Sequence, residues 1–392
     1  MEFYYYCYFP REILFEILTR LPAKSVQRFN CVSKLFRSII ADPHFAEVHR
    51  RRSSARPGGV SILLALPSPP CKHEFYAINY TDPSIQEEFR FLEGPDFENL
   101  TNPPAAANGL ICLSNNDGDV AVCNPSTRHH VFLPRRRSVR LGRHCQSYAL
   151  GVLGFDRGSG KYKVFMSEMR MWGEVITRRH SVFTLGVDKS WREVYVHPKC
   201  MVDSLCIISF PDESVHVDGV IYLISWMKKR EIIAFGVGDE DMRLMPFPDI
   251  DHRTLHFQSY MMMTLTSRWI ELDGRLALIN VHHEAGERSI MDVWTLEKSR
   301  MRWEKISVSI PLEESMMIKK SLSIAFASTG FGEIVVSIQE GNSLWVLLYA
   351  YRRQVWRKIE VCKLVGCVSF YVNDHLKISV DVIQENLYSF EK

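Results

Sequence analysis

Three tryptophan-centred segments constrain this chain more than any other feature. SWREV (190–194), RWEKI (302–306) and VWRKI (355–359) share a tryptophan, two charged residues and a β-branched residue. Each follows an apolar strand and a polar turn: VFTLGVDKS, VWTLEKSRM and LYAYRRQ. The tryptophans stand 112 and 53 residues apart. The first interval is about twice the second, so one unit has lost its tryptophan. That unit should lie near residue 243, where IIAFGVGDEDMRLMPFP (232–248) supplies strand, turn and strand. VAVCNPSTRHHVFLP (120–134) has the same shape one unit earlier.

A second echo runs ahead of the first. Glycine-led strands recur at NGLICLS (108–114), DGVIYLIS (218–225), DGRLALIN (273–280) and FGEIVVSI (331–338), with LGFDRGSGKYKVFMS (153–167) completing the series as a hairpin. A fixed period of about 50–60 residues with four strands per unit is the pattern of a β-propeller blade. At about 56 residues per blade, the 336 residues from 57 to 392 make six blades. VSILLAL (60–66) and HLKISVDVI (375–383) are the segments expected to share the first blade and close the ring, which removes exposed sheet edges.

The first 48 residues follow a different period. Ile13, Leu14, Ile17, Leu18 and Leu21 form one broad apolar face on a helix opening at Pro10 and stopped by Pro22. A second helix is expected over Ala23–Phe29. A third is expected after Ser33 as N-cap, carrying Leu35, Phe36, Ile39 and Ile40, with Val32 just before it, and ending at Asp42-Pro43. Three helices in about 35 residues are too few to close a core alone. The surplus apolar surface calls for cover, either from a partner or from the body of the same chain.

FPREILFEILTRLPAKSVQRFNCVSKLFRSIIADPHF (9–45) resembles an F-box of the plant form, with Phe9 and Phe36 where that family has Leu and Trp. The resemblance implies docking on a Skp-type adaptor and, through it, a cullin ubiquitin ligase. Pro10, Ile13, Leu14, Ile17, Leu18, Leu21 and Pro22 would face the adaptor, with Val32 and Phe36 at later motif positions. The body resembles the F-box-associated, kelch-like domain of plant F-box proteins, through NPSTR (124–128), LGFD with KYKV (153–156, 161–164) and the W-x-x-I strands. The implied division is an F-box head (1–48), a basic linker (49–59) and a propeller (60–392). The implied role is a non-catalytic substrate receptor of a ubiquitin ligase, binding a target protein with its propeller.

Motifs for other chemistry are scarce in the sequence. GSGKY (158–162) lacks the flanking residues of a phosphate loop and reads as a hairpin turn. His282 and His283 are adjacent on a strand and point to opposite faces, so no metal site and no cofactor is expected. The ten cysteines form no C-x-x-C pair and read as small core hydrophobes of a reducing compartment, cytosol or nucleus. MEFYYYCYFP has no signal-peptide character, and the sequons at Asn79 and Asn99 are read as chance. No apolar run reaches membrane-spanning length. Two arginine clusters remain. Arg50, Arg51 and Arg52 are expected in the linker, as solvated charge or an import patch. Arg135, Arg136 and Arg137 are expected on an inter-strand loop, as candidates for contacting an acidic or phosphorylated target. A propeller that binds nucleic acid through these clusters is the alternative, although a net charge of +3 does little to favour it.

Overall fold

A computed structural model describes residues 9–56, 59–68, 72–79, 86–88, 95–135, 145–172, 175–194, 213–225, 231–250, 267–283, 289–321, 323–330, 332–340, 343–361, 379–388 and 390. The head is helical: α1 (Arg11–Leu18), α2 (Ala23–Phe29), α3 (Lys34–Ile40) and α4 (Pro43–Ser54). Ser33 caps α3 by accepting from the Phe36 amide, as its position predicts. Asp42-Pro43 ends α3 as expected, the helix stopping at Ile40, and it also starts a further helix, α4. The Asp42 carboxylate caps the His44 amide, and proline at a first helical position costs nothing because its missing N–H would be an orphan there. The stretch expected to be a linker is therefore helical as far as Ser54.

Among the described residues, all twenty-four strands belong to six four-stranded antiparallel sheets. Blade 1 holds β1 (Val60–Ser68), β2 (Lys72–Asn79) and β3 (Gln86–Glu88); a short helix, α5 (Pro95–Glu98), follows. Blade 2 is β4 (Ala105–Ala107), β5 (Leu110–Ser114), β6 (Val120–Asn124) and β7 (His129–Phe132). Blade 3 is β8 (Cys145–Asp156), β9 (Lys161–Trp172), β10 (Val175–Thr184) and β11 (Arg192–Glu193). Blade 4 is β12 (Glu213–Val217), β13 (Val220–Ser225), β14 (Glu231–Gly236) and β15 (Met242–Met245). Blade 5 is β16 (Ser267–Leu272), β17 (Arg275–His283), β18 (Ser289–Glu297) and β19 (Arg302–Ser309), followed by α6 (Leu312–Lys320). Blade 6 is β20 (Ser323–Ser328), β21 (Glu333–Glu340), β22 (Ser343–Ala350) and β23 (Val355–Glu360). The last strand, β24 (Ser379–Gln384), returns to blade 1 and pairs with β1 from Val60↔Gln384 to Ala65↔Ser379. The ring is thus closed by the two segments expected to meet.

The repeats have local causes. Asn108-Gly109, Asp218-Gly219 and Asp273-Gly274 are two-residue hairpin loops with positive φ at both positions. Such loops match the strand twist, and Asn-Gly or Asp-Gly adopt them at least cost. The unit without tryptophan is β14–β15, with buried Met242 opposite Phe235. Trp191 and Trp303 donate their indole N–H to the carbonyls of Pro134 and Pro246, each on the preceding blade, at 2.8 and 2.9 Å. Both therefore clasp neighbouring blades. Six apolar clusters fill the six blade-to-blade seams, and a seventh fills the head. Cys112 and Cys123 lie buried in two of these seams, where burial pushes both thiols up, Cys112 to about 12.

Neighbouring inner strands are too divergent to pair, so side chains satisfy their edge groups. The Phe155 amide donates to His216 Nε2 (3.2 Å), the Trp269 amide to Glu213 (3.0 Å) and the Gly151 amide to Ser114 (3.2 Å). Asp381 accepts from the Ala106 and Val382 amides while facing an axial cavity of about 330 Å³. Burial is the main influence on its carboxyl and pushes it up to about 6. The ionised form is therefore disfavoured in the folded state. The stabilising difference is fully present below the unfolded pKa near 3.8 and is lost as pH rises through 6. Asp381→Asn is expected to stabilise the protein at pH 7.5 by up to about 2–3 kcal/mol and to change little at pH 4. Denaturant titrations of both proteins at the two pH values check this.

Candidate functional site

The candidate surfaces are set by which end of the ring carries the head. The residues after β24 run directly beneath it. Glu385 accepts from the Ala23 amide at the start of α2 (3.3 Å) and pairs with Arg56, whose guanidinium also donates to the Arg20 and Leu21 carbonyls. Leu387 enters the head core beside Leu18, Ala23, Val26, Ile39, Ile40 and Phe45. Asn386 holds the Asn108 carbonyl (2.6 Å) and Tyr162 hydroxyl, and its amide donates to Ser126 (2.9 Å). Gly109 must remain small here, since a Cβ would lie 2.4 Å from the Gln384 carbonyl oxygen. The head therefore sits on the end of the ring where the first strand of each blade turns into the second and the third into the fourth. Arg50 of α4 lines the axial cavity at that end, together with glycines of these turns. Connections between blades, and the turns from second to third strands, lie at the opposite end.

Helix α1 divides its apolar residues between two stripes. Leu14 and Leu18 point into the head core with Phe15; Leu18 is only 1% exposed. Ile13 and Ile17 point outward at 45% and 47% exposure, and Phe9, just before the N-cap Pro10, is exposed at 57%. Glu12, Glu16 and Arg20 border a shallow depression over Ile13 and Ile17. Glu16 is held by Arg52 (2.9 Å) and Arg20 (3.3 Å); the hydrogen bond from Arg52 is the main reason its carboxyl stays below the usual range. Val32 is 63% exposed and Leu35 40%, while Leu21 and Phe36 pack partly into the core. Pro10 and Pro22 are exposed N-cap residues of α1 and α2. The single broad face expected from sequence is thus an outer stripe backed by an inner one, with Leu18 wholly on the inner.

The arginine clusters are largely engaged within the chain. Arg50 and Arg51 pair with Glu47, and Arg52 with Glu16. Arg135 lies at the end remote from the head and pairs with Asp119 at 2.5 and 2.8 Å; Arg136 and Arg137 lie outside the described residues. Among the described residues no group of three or more metal-ligating side chains converges. His282 approaches Asp292 (3.6 Å) while His283 bonds Ser289 (2.7 Å), diverging as strand alternation requires. GSGKY is the β8–β9 turn, with Asp156 accepting from the Gly158 and Ser159 amides. No described helix is long and apolar enough to cross a membrane.

The F-box domain family matches residues 7–47, and the F-box associated beta propeller domain family matches residues 80–380. This chain is an F-box protein of the F-box-associated β-propeller family. An F-box protein of Arabidopsis thaliana is 29% identical to it over 369 residues, spanning 90% of this chain and 85% of the relative. Two F-box/kelch-repeat proteins of the same plant are 26% identical. They span 84% and 90% of this chain, and 80% and 85% of their own lengths. Among solved structures, AofleA from Arthrobotrys oligospora aligns with 72% of this chain and 76% of its own, at 9% identity and a TM-score of 0.37. The F-box implies a place in the ubiquitin conjugation pathway, with an adaptor for the head and a target protein for the propeller.

Sequence reasoning missed three contributors. Helix α4 was hidden because its polar, arginine-rich surface carries no long apolar stripe. The residues 385–388 carry no motif, and only the isolated Leu387 after the last strand hinted at a buried role. The inward side of Leu18 follows from α2 and α3 packing on one flank of α1, which periodicity alone does not specify.

Proposed function

We propose that this F-box protein is the target-recognition subunit of a Skp–cullin–F-box ubiquitin ligase. Its head runs through Ser54 and docks on a Skp-type adaptor by the outer stripe of α1, with Pro10, Pro22 and Val32 at the margins. Leu14, Leu18, Leu21 and Phe36 support that stripe from within. The target is held at the end of the ring remote from the head, where the connections between blades and Arg135 lie. The chain supplies position rather than chemistry: a tethered target meets the conjugating enzyme at raised effective concentration.

The observation that carries this reading is the exposed pair Ile13 and Ile17 on a helix whose inner face is already filled, with exposed Phe9 just ahead of its N-cap. Large apolar side chains aligned at a four-residue spacing on a short, well-anchored helix favour a protein partner. The test is reconstitution. Co-expressed with a plant Skp-type adaptor and a cullin, the full chain should co-elute in a three-subunit complex. Co-elution with the adaptor but without the cullin would remove the ligase from the reading, and no adaptor complex would remove the reading itself.

A further inference from the structure

On the head-side end of the ring, the outermost turns of blades 5 and 6 hold a dense group of cations. The turn between β18 and β19 supplies Lys298 and Arg300, with Arg302 at the start of β19; the turn between β22 and β23 supplies Arg352 and Arg353. Arg275, after the Asp273-Gly274 turn, completes the group, and all six side chains are exposed. The two blades' turns are adjacent, because Arg352 of blade 6 reaches Asp273 of blade 5 at 3.2 Å.

Local carboxylates do not balance this group. Asp273, Glu297, Glu304 and Asp218 pair with Arg352, Arg300, Arg275 and Lys298 at 3.2, 3.8, 3.5 and 3.8 Å. Arg302 and Arg353 have no carboxylate partner among the described residues. Six cations thus face four carboxylates, one of which, Asp218, is shared with Arg157, and positive charge is left in excess. At one border, Arg357–Glu333 is a neutral pair. The corresponding turn of blade 4 is acidic instead, with Asp239, Glu240 and Asp241. Two exposed apolar side chains, Met301 (44%) in one basic turn and Val355 (52%) at the start of β23 after the other, lie beside these cations.

We propose that this basic sector docks a carboxylate-rich segment of a protein partner on the head side of the ring. It is separate from both the α1 stripe and the remote end. Five of the six cations are arginines, which grip carboxylates bidentately and are enriched at protein interfaces together with methionine. The interspersed carboxylates and the two apolar side chains suit a peptide with acidic and aliphatic residues better than a continuous phosphate backbone, which would meet like charges at Asp273, Glu297 and Glu304.

The experiment uses the full chain and fluorescence anisotropy with three labelled probes: a short Glu-rich peptide with interspersed leucines, its Gln-for-Glu counterpart, and poly-U RNA. The Glu-rich peptide should bind saturably at low salt and weaken as salt is added, while the Gln peptide stays unbound. The quadruple variant Arg300→Glu/Arg302→Glu/Arg352→Glu/Arg353→Glu should lose about tenfold or more of that affinity. Lys161→Glu/Lys189→Glu, on exposed turns of blade 3, should bind as the parent does. No peptide binding, undiminished binding by the quadruple variant, or tighter binding of poly-U than of the acidic peptide would overturn the proposal. All four substituted arginines are exposed, so unchanged circular dichroism and melting keep the comparison sound.

Discussion

Truncation after residue 378 should abolish the native state. Removing β24 strips β1 of its partner along the whole Val60–Ala65 register and opens blade 1 at the axis. It also takes Val380 and Ile383 from the two seams on either side of blade 1. The freed edge of β1 then faces water at the centre of the ring, a configuration prone to aggregation. Loss of this pairing and apolar burial exceeds the whole net stability typical of a domain, about 5–15 kcal/mol. The truncated chain should lose its near-ultraviolet circular dichroism and elute as aggregate. Stopping instead after Gln384 gives a sharper result. That chain keeps ring closure but loses Glu385, Asn386 and Leu387, so the propeller should persist while the head loosens. Deleting a buried leucine side chain alone costs about 2–5 kcal/mol. Hydrogen exchange should then rise across α1 to α4 and stay low in the inner strands. Equal protection of the head in both full-length and shortened chains would show that the tail is dispensable.

Ile13→Asp/Ile17→Asp should eliminate adaptor binding without unfolding the head. Both side chains are about half exposed and absent from the head core, so the free protein should melt as before. In the complex each isoleucine would bury apolar area worth about 1.5–3 kcal/mol, and each new carboxylate would instead have to be desolvated or left in water. Together these predict at least about a hundredfold weaker binding. Isothermal titration against purified adaptor measures it. Leu21→Ala is a less informative change, since Leu21 packs against the head core and its loss lowers binding by loosening the fold. Parent-like affinity of the double aspartate variant would place the docking face elsewhere.

Much of the ring was legible because its repeat is written in residues with strong local preferences. Asn-Gly and Asp-Gly fix three of the first hairpins, and the tryptophan echo marks the outer strands that two indole N–H groups tie to the blade before. Closure was legible because two apolar runs were left over at the ends of the repeat. The head was legible as helices but not as a packed unit. Its core needs Leu387, more than 330 residues away from α2 and α3, and no period or motif connects such distant positions. Charge was the least legible property. The clusters noticed as runs, Arg50–Arg52 and Arg135, are engaged by Glu47, Glu16 and Asp119. The basic sector of blades 5 and 6 is assembled from turns about 50 residues apart and becomes visible only when the ring brings them together.

Leu387 and Glu385 also bear on the order in which the molecule can be completed. The helices of the head await side chains synthesised more than 330 residues later, and the same few residues follow the strand that seals the circle. One short stretch therefore finishes both halves, so a polypeptide released before β24 lacks a finished plug as well as a finished wheel. A prematurely terminated copy is barred by its own geometry from competing with intact ones.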